Sequence, residues 1–216
     1  LMGKRVPRGK IELIANFVDT DFIKPLPRLN NFSVDHGWND KFVVMHAGNL
    51  GHVYDFSTLL MAAKQLDHEA KIHFVIVGEG VAKSAVAQQI KTAKLSNVEL
   101  LSFQRRELLP WLRASADVQL ALYKRGAASH SLPSKIYETM ASGRPVIASA
   151  DSGSAVQAHI GDTGSGLWIG PEDAPALGAA IWRLFSDRRL CSELGHHGRT
   201  YAEECFSKAI AVEQYD

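Results

Sequence analysis

From about residue 41 onward, short apolar runs rich in β-branched residues alternate with segments of helical spacing, and this rhythm constrains the chain more than any other feature. The runs cover 42–46, 72–77, 98–101, 118–122, 146–148 and 166–169. Helical periodicity lies between them at 56–65, 81–94, 107–113, 135–142 and 154–160, then over 174–185 and 188–204. A strand that is apolar at successive positions is buried on both faces, which a parallel sheet covered by helices provides. Strands joined through helices close by right-handed crossovers. The expected class is therefore α/β, a doubly wound, Rossmann-like parallel sheet over 41–216.

Residues 1–40 lack that rhythm. One apolar run at 11–15 precedes an irregular segment with Pro25 and Pro27, then a polar stretch over 30–40. This is the pattern of a connector with an opening strand, not of a second domain. A helical pattern resumes near Lys208, just before the chain stops at Asp216. The expectation is one half of a larger protein.

With 216 residues, 46% of them hydrophobic, the chain can bury one sizeable core. The net charge of +1 is spread thinly, apart from Lys4, Arg5, Arg8 and Lys10. A solvated arm is the expectation there, with contact to anionic lipid or a partner as the alternative. Nothing resembles the concentrated basic face of a nucleic-acid binder. No apolar run approaches the ~20 residues that cross a bilayer, and no signal peptide is visible. A cytoplasmic protein is expected, with peripheral contact at the inner membrane face as the limit of any membrane association. Cys191 and Cys205 read as reduced thiols. His196 and His197 are consecutive on a helix and point apart, which argues against a shared metal.

In open parallel sheets, ligands bind outside the carboxyl ends of the strands. Four loops meet that rule. Gly48-Asn49-Leu50-Gly51 follows the first strand, and its glycines let backbone amides approach an anion, unless it is only a tight turn. Gly78-Glu79-Gly80 fails as a dinucleotide fingerprint because Lys83 stands where the third glycine belongs, so a structural turn is expected. In Ser102-Phe103-Gln104-Arg105, Phe103 offers a face to a base and Gln104 can meet polar base edges; the alternative is a buried anchoring Phe103. The fourth loop, 125–131, is small and polar, and it leads into the most informative segment.

That segment runs from Pro133 to Ala148 and reads as a short helix, a glycine stop and a buried strand. Ile136, Tyr137, Met140 and Ala141 share one side of the helix; Lys135, Glu138, Thr139 and Ser142 share the other. Gly143 stands where a helix end favours positive φ, and Pro145 prevents continuation. A polar face with one cation and one carboxylate suits a ligand carrying phosphates and hydroxyls, whereas the plain alternative is an exposed Lys135–Glu138 pair. Asp19-Thr20-Asp21 has the D-x-D form of some metal sites, but it lies in the connector and reads as turn and cap.

Together these residues resemble the nucleotide-sugar-binding, C-terminal domain of GT-B-fold glycosyltransferases, particularly the retaining family 4. Ile14-Ala15-Asn16-Phe17-Val18-Asp19 is similar to the family's interdomain connector, and His46 to Gly51 to its first glycine loop. Phe74 to Gly80, Ala116-Asp117-Val118, Glu138 to Ala148, Gly164 to Gly170, and Leu194-Gly195 through Phe206 follow in the family's order. The resemblance implies that Glu138 holds the nucleotide ribose. His130 occupies the place of a second family glutamate, and is the other residue implied in catalysis. Asn49 and Tyr54 stand where many members carry a phosphate-gripping cation pair, so that role passes to Lys135, at the helix start beside Ser134, together with the amides of Gly48 to Gly51.

The implied donor site thus comprises Gly48, Asn49, Gly51, Phe103, Gln104, Ser134, Lys135 and Glu138. Its ligand would be a UDP- or GDP-sugar, with no metal or other cofactor. The sugar would pass, with retention, to a glycan or lipid-linked acceptor held by an N-terminal domain outside this chain, so the chain alone is expected to bind donor with little turnover. A GT-B-fold nucleotide-sugar epimerase and a non-catalytic nucleotide-sugar-binding module are the alternatives.

Overall fold

The computed structural model describes residues 16–128 and 132–215. The opening strand expected at 11–15 and His130 lie outside the described residues. Among the described residues no helix is long and apolar enough to cross a membrane.

Among the described residues, six parallel strands form one sheet: β1 (Phe42–Ala47), β2 (Ile72–Val77), β3 (Val98–Leu101), β4 (Val118–Leu122), β5 (Val146–Ser149) and β6 (Gly166–Ile169). Their spatial order is β3-β2-β1-β4-β5-β6. The chain leaves β1 toward one edge, returns at β4 and proceeds to the other edge. The crevice where this order reverses, at the carboxyl ends of β1 and β4, is where such sheets bind ligands.

The strands show why continuous apolar runs point to this architecture. Phe42 and Val44 face one core together with Phe74, Ile76, Leu120 and Leu59. Val43, Met45 and Ala47 face the opposite layer with Val75, Val77 and Leu112. Both faces exclude water, so no position is left for a polar alternation. The helices α2 (Phe56–Gln65), α3 (Lys83–Ala93) and α7 (Ala174–Ser186) cover the first face. On the other lie α4 (Leu109–Ala114), reached through a 3-10 turn over Arg106–Leu108, then α5 (Ser134–Ala141) and α6 (Ala155–Thr163).

The sequence reading placed no helix in the polar stretch 30–40, but α1 (Asn31–Asp35) forms there. Its signal is a capping box: the Asn30 side chain accepts from the amides of Phe32 and Ser33, while the Ser33 hydroxyl accepts from the Asn30 amide. Five residues are too few for the periodicity that exposes longer helices. The connector packs firmly on the sheet. Arg28 donates from Nε to Asp117 at 3.1 Å and from Nη1 to the Trp38 carbonyl at 2.8 Å, and Trp38, almost wholly buried, donates to Glu99 at 2.9 Å. Val18 pairs with Ser207, ahead of α9 (Lys208–Tyr215). Asp19 caps its own turn, accepting from the Phe22 amide at 2.9 Å.

The long helix α8 (Arg188–Cys205) lies against α5. A Cβ on Gly195 would come within 2.3 Å of the Gly143 carbonyl oxygen, so glycine there sets the helix spacing. Gly143 itself has φ +67° and ends α5, as its place in the sequence predicts.

Candidate functional site: the crevice beside Lys135

The site begins at the end of β1. The chain turns at Gly48, whose φ of +140° brings its backbone past the start of α5; a Cβ there would sit 3.3 Å from Lys135 Cε. Two loops close against each other at this point. The Leu50 amide donates to the Glu79 carbonyl at 2.8 Å, and a Cβ on Gly78 would overlap the Gly48 carbonyl oxygen at 1.8 Å. Gly78-Glu79-Gly80 is therefore structural, as its failed fingerprint suggests: it props the Gly48 loop from behind. Asn49 is exposed on that loop, and Gly51 is partly buried with an unstrained backbone.

Lys135 departs from the plain alternative of an exposed pair. It does not lie on a solvated helix face but is 6% exposed, with Thr139 and Ser142 also buried. The polar side of α5 packs inward because a polar layer on α4 and β4 receives it. The Lys135 ammonium lies 2.9 Å from His46 Nε2 and 4.1 Å above the Tyr54 ring. His46 is in turn wedged edge-on between Tyr54 and Phe56. Lys135 forms no salt bridge among the described residues. Burial, then the nearby Arg113 charge, lower its proton affinity well below the usual lysine range, while Glu138 acts in the other direction. Burial and then Lys135 likewise hold His46 well below the ordinary imidazole range. A buried cation without a bound carboxylate, against a glycine turn, is a place where an anion would recover lost hydration.

Glu138 follows one turn later and does not pair with Lys135, which removes the plain i,i+3 alternative. Its Oε2 accepts from Arg113 of α4. Arg113 also donates to Gln119 Oε1 of β4 at 2.7 Å, and Gln119 donates to Ser142 Oγ at 3.2 Å. The Glu138 carboxylate is thus held on one side, while its side chain remains 38% exposed on the other. Ser134 is exposed in the first turn of α5, which no side chain caps. Arg113 and His46 are members of this cluster to which the sequence reading gave no role, and Tyr54, noted there as standing in place of a phosphate-gripping cation, forms its floor. Only a charged residue just before an apolar strand could have flagged Arg113.

The β3 loop contributes differently. Phe103 is 58% exposed, so it is not the buried anchor considered from the sequence. Gln104 does not join Lys135 and Glu138. It lines a separate concavity of about 650 Å³ with Pro27, Leu29, Asn30, Phe32 and Trp111. Among the described residues no group of three or more His, Cys, Asp or Glu side chains is placed to hold a metal.

A family model described as glycosyl transferases group 1 matches residues 30–201. The chain belongs to this family. It is 28% identical over 179 residues to the putative colanic acid biosynthesis glycosyl transferase WcaI of Escherichia coli (strain K12), covering 82% of this chain and 42% of that protein. The chain spans about half the length of the curated relatives it matches. Among solved structures, Anabaena Alr3699/HepE in complex with UDP and glucose superposes with a TM-score of 0.82 at 20% identity, over 94% of this chain and 55% of that one. The C-terminal domain of a glycosyl transferase group 1 family protein (LpcC) from Francisella tularensis gives 0.71 at 19% identity, over 88% of this chain and 99% of that domain. For this group 1 chain the fold is thus the Rossmann-like, C-terminal half of a GT-B enzyme, as its motifs lead one to expect.

Proposed function

We propose that the crevice between the Gly48 loop and the start of α5 binds the diphosphate of a nucleotide sugar, and that the chain is the donor half of a retaining glycosyltransferase. The observation that carries this reading is Lys135: a buried ammonium, held by His46 and Tyr54 with no salt bridge among the described residues, pressed against Gly48. Its charge and the adjacent amides would draw off the negative charge that builds on a departing diphosphate, which is electrostatic catalysis without a metal ion. Glu138, a carboxylate open on one side and one turn from Lys135, suits the two ribose hydroxyls. The UDP complex of the similarly folded HepE supports a uridine nucleotide, and the likeness to WcaI supports a polysaccharide product. The acceptor would be a hydroxyl on a glycan or a lipid-linked sugar.

Calorimetric titration with UDP, GDP and their glucose and mannose esters tests this reading. Micromolar binding of one pair is expected, and Glu138→Ala is expected to weaken it by roughly 1–3 kcal/mol, the scale of a charged hydrogen-bonding partner. Unchanged affinity in the folded variant removes Glu138 from the site.

A further inference from the structure

We infer that Arg113 is a positioning residue, holding the Glu138 carboxylate in the one orientation that receives the ribose hydroxyls. This rests on the donor-site reading above. Arg113 is 5% exposed at the end of α4 and touches solvent hardly at all. One terminal nitrogen donates to Glu138 and the other to Gln119. Gln119 is itself fixed at the end of α5: its Nε2 donates to Ser142 Oγ at 3.2 Å, and its Oε1 lies 3.3 Å from the Thr139 hydroxyl, whose single proton it shares with the Lys135 carbonyl. Thr139 and Ser142 are tied to the helix backbone, donating to the carbonyls of Lys135 at 2.9 Å and Thr139 at 2.7 Å. The guanidinium is thus braced by β4 and α5 before it reaches Glu138, and a planar donor fork so braced leaves the carboxylate little rotational choice.

The network is a poor device for stability alone. The Arg113 Nε is buried and finds no hydrogen-bond partner among the described residues, and burial lowers the proton affinity of the group while Glu138 opposes that shift. Replacing both partners of such a buried pair by well-packed apolar side chains is often neutral for stability, whereas removing one alone is destabilising. What an apolar residue cannot do is aim Glu138. Specificity for a hydroxylated ribose, not for the diphosphate, is what Arg113 supplies.

The test compares affinities for UDP and 2′,3′-dideoxy-UDP, or the guanosine pair if GDP binds more tightly, in the wild type, Glu138→Ala, Arg113→Met and the double variant. The wild type is expected to favour the hydroxylated ligand by about tenfold or more, the scale of one charged hydrogen bond. In both single variants that preference collapses to within about threefold, dideoxy affinity changes little, and the double variant is no worse than Glu138→Ala, as coupled residues require. Thermal melts confirm folding, and Arg113→Gln is measured in its place if Arg113→Met does not fold. A collapse in Glu138→Ala but not in the Arg113 variant overturns the role of Arg113 alone. A uniform loss for both ligands in the Arg113 variant also overturns it, since that marks a merely structural part. If neither diphosphate binds, or Glu138→Ala keeps the preference, the donor-site reading falls and this role falls with it.

Discussion

Gly78→Ala probes how the phosphate loop is held. Gly78 has φ +151°, and a Cβ there would lie 1.8 Å from the Gly48 carbonyl oxygen, 3.0 Å from its carbon and 3.5 Å from Leu50 Cδ2. The tightest ordinary C···O contacts are about 3.3 Å, so the overlap is roughly 1.5 Å and the two loops must part. They cannot part freely, because β1 and β2 are paired through Ala47 and Val77, and the Gly48 amide donates to the Val77 carbonyl at 2.9 Å. The bond from Leu50 to Glu79 lies just beyond and is the one that gives way. Backbone strain costs about 1–3 kcal/mol, and a lost buried hydrogen bond about 1–3 kcal/mol. A total of about 2–6 kcal/mol lowers the melting temperature of a chain this size by roughly 4–24 °C. UDP affinity, read by calorimetry below the melt, falls as well, because Gly48 is displaced from Lys135. Gly51→Ala is the control: its Cβ meets only the Asn49 side chain, at 3.3 Å, and a shift under about 0.5 kcal/mol is expected. A Gly78→Ala melt within about 2 °C of the wild type refutes the idea that this loop props the other.

Lys135→Met is expected to weaken UDP binding by roughly 10- to 150-fold, the worth of a charged hydrogen bond, in a protein that still melts cooperatively; unchanged affinity refutes the anion site. Because burial already lowers the Lys135 proton affinity, its charge is lost below the pH at which an ordinary lysine titrates, so affinity declines as the pH rises in the wild type and not in Lys135→Met. Titration with and without EDTA is expected to give equal affinities, and a large loss on chelation overturns the metal-free reading. Acid will destabilise the fold before its carboxylates titrate. Burial pushes His159 down to about 4, and His46 is likewise depressed. The unfolded chain then binds protons that the native state refuses, so stability present above about pH 6.5 is lost as the pH falls toward 4. Melting temperatures at pH 7.5 and 5 check this, with His159→Phe expected to flatten the fall; equal melts at both pH values contradict it.

Much of the fold was legible because it is written in local periodicity. Strands β2, β3, β4 and β6 and helix α2 stand where the apolar patterns put them, and Gly143 ends α5 with the positive φ its position demanded. α1 was not legible, since one capping box over five residues carries no period. The candidate site divides the same way. Gly48, Lys135 and Glu138 could be named from motifs, because each sits at a fixed offset from a strand end or helix start. Their environments could not be named. The wheel of α5 has a polar side that suits a ligand or, on the plain alternative, solvent, yet Lys135, Thr139 and Ser142 on it are buried because Arg113 and Gln119 arrive opposite from α4 and β4. Gln104 was grouped with the site by its loop, but the chain turns it toward the connector. His46 reads in sequence as one polar residue in an apolar strand, and becomes the partner of Lys135 only across 89 positions of chain. Period and turn chemistry depend on neighbours a few residues away, which any chain carries with it. The charge state and exposure of a side chain depend on which distant groups the fold brings against it, and the tertiary structure alone decided those.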